Sequence, residues 1–120
     1  YKRALFTSEE NQRTLKAVNF LKDGDVVQLG NLLYSSHKGL RDLYEVSCKE
    51  LDFLVEFTKN ISSIKGARMM GGGFGGCTLN IVKENYLTHF INEISEAYLK
   101  KFNIKLTPHI VKTNNGVKVL

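Results

Sequence analysis

A chain of 120 residues, 42% hydrophobic and 24% charged, has the composition of one globular domain and is long enough to bury a core without staples. It has no run of about 18 apolar residues to cross a membrane and no basic-then-apolar leader, and its single Pro argues against a linker-rich or disordered chain. The net charge of +5 arises in the second half: residues 1–60 carry nine basic and nine acidic side chains, residues 61–120 eight basic and three acidic. A basic half attracts nucleic acid, acidic lipid or a phosphorylated ligand, or is simply a solvated face. Lys and Arg are not clustered among aromatics, which favours the solvated face. Cys48 and Cys77 make neither a C-x-x-C pair nor a metal-ligand spacing, so they read as reduced thiols of a cytoplasmic protein. The chain opens at Tyr1 without Met, which suggests a fragment or a processed product.

In chain order, the first half reads as helical. Residues 9–22 put Leu15, Val18 and Leu21 on one face. Asp23 stands at an N-cap position for a second helix over about 24–39, followed by Val26, Leu29, Leu33 and Leu40. Ser47-Cys48-Lys49-Glu50 has the pattern of a capping box, with Val46 and Leu51 at the staple positions. Leu51, Leu54 and Val55 then give the buried stripe of a third helix ending near Lys59.

The second half changes period. Residues 63–70 read as a short strand and residues 77–82 as a convincing one, joined by a glycine tract. A fourth helix over about 85–101 has Leu87, Phe90, Ile91, Ile94 and Tyr98 on one side. Residues 106–112 read as a strand that Pro108 confines to an edge or a strand start. Asn114-Asn115-Gly116 is a hairpin turn, and Val117 and Val119 close a last strand. The expected fold is one α+β domain over residues 1–120: a mostly antiparallel four-stranded sheet covered by helices.

Gly71, Gly72, Gly73, Gly75 and Gly76, broken only by Phe74, are the least ordinary feature. Glycine in regular structure costs roughly 0.5–1 kcal/mol per site against Ala, so so dense a tract signals positive φ or close approach of another group. Successive free amides in such a turn can cradle an anion; alternatively the tract is a wide turn that lets a neighbouring segment pack closely. Gly71, Gly73 and Gly76 satisfy G-x-G-x-x-G, but a dinucleotide site needs a helix after the loop, and a strand follows here. A P-loop fails because Cys77 and Thr78 follow Gly76 where Lys and Ser or Thr are required. A protein-kinase loop fails for want of H-R-D and D-F-G.

The remaining candidates are weaker. His37, His89 and His109 are far apart in sequence and make no zinc motif. His37, next to Lys38 and near Arg41, reads as part of a solvated helix face. Asp42 and Glu45 read as helix-end and loop hydrogen bonders rather than a catalytic pair. Cys48, in the first turn of a helix, has no general base placed beside it, and Cys77 reads as an inward-facing strand residue. No nucleophile–base–orienter set can be assembled.

Residues 66–78, Gly-Ala-Arg-Met-Met-Gly-Gly-Gly-Phe-Gly-Gly-Cys-Thr, resemble the third conserved motif of the galactokinases, within the GHMP small-molecule kinase superfamily. Residues 40–52, from Leu40-Arg41-Asp42 through Tyr44-Glu45-Val46-Ser47-Cys48 to Leu51-Asp52, resemble the segment that precedes that motif. Glu10-Asn11-Gln12-Arg13 resembles the start of the same half, and Gly116-Val117-Lys118-Val119-Leu120 the final strand. The sequence departs from the pattern at Met70, Lys49 and Leu43, where Thr, Pro and Asp are usual.

The resemblance implies a GHMP kinase C-terminal domain with a ferredoxin-like core. It also implies a parent enzyme that transfers the γ-phosphoryl group of ATP, with Mg²⁺, to the C1 hydroxyl of galactose. Gly72, Gly73, Phe74, Gly75 and Gly76 would shape the phosphate side of the active site. The catalytic, sugar-binding and metal-binding groups would lie in an absent N-terminal half, so the chain alone would be inactive, and an uncovered apolar face would favour self-association. A non-catalytic sensor of sugar and ATP, or a kinase for a related sugar such as N-acetylgalactosamine, is the alternative parent. A free-standing anion or nucleic-acid module is the least favoured reading; neither a nucleic-acid nor a membrane partner is expected.

Overall fold

A computed structural model describes residues 1–112, with four α-helices and a two-stranded sheet. The first helix, α1, spans Lys2–Asp23. It begins before residue 9 because Phe6 is a core residue, packed under the second helix beside Leu40. The α1 stripe of Leu15, Val18 and Leu21 shares a face as expected, but that face is exposed. Gly24, at φ 69°, ends the helix, which glycine does at little steric cost.

Helix α2 spans Val26–Asp42. Its N-cap is Asp25, whose Oδ1 accepts from the Gln28 amide at 3.1 Å, and not Asp23, which closes α1. The helix continues past Gly39 because that glycine answers a packing need: a Cβ there would stand 2.8 Å from the Phe6 ring. Helix α3 spans Lys49–Thr58 and buries Leu51, Leu54 and Val55 as the spacing predicts. The expected capping box does not form, because Cys48 is the N-cap and the Ser47 hydroxyl is bonded elsewhere.

Strands β1, Ile64–Met70, and β2, Cys77–Val82, pair antiparallel, with Ala67 opposite Asn80 and Met70 opposite Cys77. An irregularity between Ile64 and Gly66 shifts the register by one residue. Helix α2 lies hard against β1: a Cβ on Gly30 would fall 1.7 Å from the Lys65 carbonyl oxygen. A 3₁₀ turn, Glu84–Tyr86, leads into α4, Leu87–Phe102. From α4, Phe90, Ile94 and Tyr98 join Leu54 and Ile64 in one core cluster, while Phe6, Leu40, Leu51 and Met69 form a second.

The class is α+β, but among the described residues the sheet has two strands and not four. Residues 106–112 were expected as a strand and carry no ladder. Pro108 has no amide proton to give one, and the expected pairing segment at Val117 and Val119, like the turn at Asn114-Asn115-Gly116, lies outside the described residues.

Candidate functional site

The glycine tract is the connection between β1 and β2. Gly71, Gly73, Phe74, Gly75 and Gly76 all have positive φ (78°, 91°, 61°, 148° and 102°), so the tract is glycine-rich chiefly because its backbone leaves the region L-residues prefer. Phe74 takes the left-handed conformation without being glycine and points its ring outward, 74% exposed.

At Gly73 the close-packing reading holds: a Cβ would stand 2.2 Å from the Val46 carbonyl oxygen, and the next amide, Phe74 N–H, donates to that oxygen at 2.6 Å. At Gly72 it does not: φ is not positive and a Cβ would meet nothing within 4 Å. The fold of the described residues gives no reason for a missing side chain there. Phe74, Gly75 and Gly76 border a cleft of about 280 Å³ together with Cys48, Glu50 and Tyr98. Glu50 is the charged residue of that wall, which makes it a poor seat for an anion.

Three polar side chains behind the loop, His37, Asp52 and Ser47, form a network that the sequence does not bring together. His37, read as solvated, is 2% exposed. Its Nδ1 accepts the Met69 backbone N–H at 3.1 Å, and since an amide only donates, the ring proton must sit on Nε2. Nε2 then donates to Asp52 Oδ1 at 2.9 Å. The Ser47 hydroxyl donates to the same oxygen at 2.7 Å, a charge-assisted bond that outcompetes the neutral cap bond to the α3 amides. Burial lowers the His37 pKa from its usual 6.5, although the bond to Asp52 opposes the shift. The signal was present: Leu33, His37 and Leu40 stand at i, i+4 and i+7, on one stripe of α2.

A second network ties α1 to the sheet. Glu10 accepts from Arg13 Nε at 3.0 Å and from the Ser36 hydroxyl at 2.6 Å, and Arg68 of β1 donates to Ser36 Oγ at 3.0 Å. Glu10 and Ser36 thus link α1, α2 and β1. Asp42 and Glu45 do not pair with each other. Asp42 is held by Arg41 and Lys38, its carboxyl drawn down to about 2, first by the Arg41 hydrogen bond, and Glu45 reaches Lys2 and Arg3. Cys77, expected to face inward, is exposed, because its register opposite Met70 places it at the mouth of the loop. Among the described residues no three His, Cys, Asp or Glu side chains converge on a metal site, and no helix is long and apolar enough to cross a membrane.

Residues 15–100 match the family described as GHMP kinases C terminal, and the chain belongs to that family. Among its relatives, the galactokinase of Thermotoga neapolitana is 50% identical over 117 residues, 98% of this chain and 33% of the relative. That of Clostridium acetobutylicum is 44% identical, over 98% of this chain and 30% of the relative. A crystal structure of Lactococcus lactis galactokinase complexed with galactose aligns at a TM-score of 0.82 and 36% identity, covering 87% of this chain and 27% of that one. The chain therefore spans about a third of the length of the curated relatives it matches.

Proposed function

We propose that this chain is the C-terminal part of an ATP-dependent sugar kinase that transfers the γ-phosphoryl group of ATP to the C1 hydroxyl of galactose. The observation that carries the reading is Gly72: a loop position with neither positive φ nor a close neighbour in the fold, in a chain about half identical to a galactokinase. Gly72, Gly73, Phe74, Gly75 and Gly76 form the phosphate-side wall of the active site. Phosphoryl transfer depends on positioning and charge stabilisation, so a backbone loop contributes without side-chain chemistry. ATP supplies the transferred group; the loop amides border its phosphates and exclude water on that side. The sugar, Mg²⁺ and the rest of the nucleotide are held by the remainder of the full-length protein, which works in the cytoplasm.

In the full-length protein the expected result is ATP-dependent formation of galactose 1-phosphate, faster than with N-acetylgalactosamine. Binding of galactose and ATP without turnover would instead identify a sensor, and preference for the N-acetylated sugar would reassign the substrate. The 120 residues alone should show no turnover. They should self-associate through exposed apolar side chains such as Leu15, Val18, Val26 and Val27, which sedimentation at increasing concentration reads directly.

A further inference from the structure

The glycine loop has little of its own to hold it in place. Cβ atoms built at Gly71, Gly72 and Gly75 would touch nothing, and the close contacts of the loop converge on one residue, Val46, nearest at its carbonyl oxygen. The two ends of the loop are fixed by the β1–β2 pairing at Met70 and Cys77, and its middle rests on that carbonyl. Val46 is anchored on one side by its own N–H, which donates to Leu40 O of α2 at 3.0 Å. On the other side its neighbour Ser47 is bonded to Asp52, Asp52 to His37, and His37 to the amide of Met69, two residues before the loop begins. The bonds close a ring: Met69, His37, Asp52, Ser47, Val46, Phe74, and back along the chain through the loop itself.

We propose that His37, Asp52 and Ser47 are positioning residues that set the place of the glycine loop, and through it the contact with ATP phosphates, by means of this ring. The phosphate half of the statement rests on the sugar-kinase reading above; the mechanical half does not. One carboxylate oxygen receives both side-chain bonds, so removing Asp52 opens the ring at two points at once. The His37 ring is buried, and water is poorly placed to replace what Asp52 gives it. A cluster that served stability alone would transmit nothing selective to residues 71–76. This one ends on Met69, just before the loop, and on Phe74, inside it.

The test uses the full-length protein with Asp52→Ala, Asp52→Asn and Ser47→Ala, read by amide hydrogen exchange without nucleotide and by steady-state kinetics. In Asp52→Ala, exchange of residues 71–77 should rise about tenfold while the α4 amides stay protected, and the KM for ATP should rise about tenfold with the KM for galactose changed less than about twofold. Asp52→Asn keeps an oxygen that accepts both bonds and should return each value to within about threefold of wild type. Unchanged loop exchange in a folded Asp52→Ala protein, or an Asn variant as impaired as the Ala one, overturns the proposal. If Asp52→Ala does not fold, Ser47→Ala decides: loop exchange faster by about threefold supports the ring, and wild-type exchange overturns it. A wild-type protein with no sugar-kinase activity would refute the function reading, and the exchange measurements would still decide the ring.

Discussion

His37 accepts the backbone amide of Met69 at 3.1 Å, a bond from the middle of α2 to the last buried residue before the glycine loop. It fixes the neutral Nε2–H tautomer, because the same ring must donate to Asp52. A buried imidazole held in one tautomer couples the fold to pH.

That coupling has a definite sign. The His37 pKa is lowered by burial, with Arg41 and Lys59 adding to the shift and Asp52 opposing it. Well above pH 6.5 the ring is neutral in both folded and unfolded chains and the fold keeps its full stability. As pH falls below 6.5 the unfolded chain takes up a proton that the folded one refuses, so stability declines toward the folded-state pKa and levels off beneath it. Urea midpoints between about pH 7.5 and 5 should show this slope, and His37→Gln should flatten it while costing about 1–3 kcal/mol at neutral pH through the orphaned Met69 amide.

Two neighbouring glycines should respond oppositely to alanine. Gly73→Ala drives a Cβ into the Val46 carbonyl at φ 91° and should cost about 2 kcal/mol or more in denaturant unfolding. Gly72→Ala meets no neighbour and should leave stability within about 0.5 kcal/mol. In the full-length protein the same Gly72 change should weaken ATP use by roughly tenfold if the loop amides border phosphates. A silent Gly72→Ala in both assays would remove the main support for a ligand on that side.

Gly30→Ala is the harsher packing test. Its Cβ would fall 1.7 Å from a backbone oxygen of β1, an atom that no rotamer change can move aside. Helix and strand must separate, and the expected cost is about 3 kcal/mol or more, measurable as a fall in thermal midpoint.

Leu51→Ala empties one of the best-buried side chains, 2% exposed beside Met69. A cost of about 2–5 kcal/mol is expected. Asp42→Asn, by contrast, removes half-exposed ion pairs with Arg41 and Lys38 and should change stability by less than about 1 kcal/mol at neutral pH.

The helices, the hairpin strands and the glycine connection were legible because each is written locally. Periodicity places Leu51, Leu54 and Val55 on one side of α3, and the run from Cys77 to Val82 matches β2 at both ends. A local pattern misleads where a stronger partner is within reach. Ser47 and Glu50 have the spacing of a cap, but the hydroxyl finds a carboxylate five residues on. His37 looked solvated beside Lys38 and Arg41, yet its spacing from Leu33 and Leu40 turns it inward.

By itself the sequence determined where the chain turns and which helix faces are apolar, since backbone preference and side-chain periodicity are properties of a few adjacent residues. Only the tertiary structure decided which of those faces is covered, as the bare stripe of Leu15 and Val18 shows, and that Val46 meets Gly73 and His37 meets Met69. Such meetings depend on distances between segments some thirty residues apart, and no local rule carries that information.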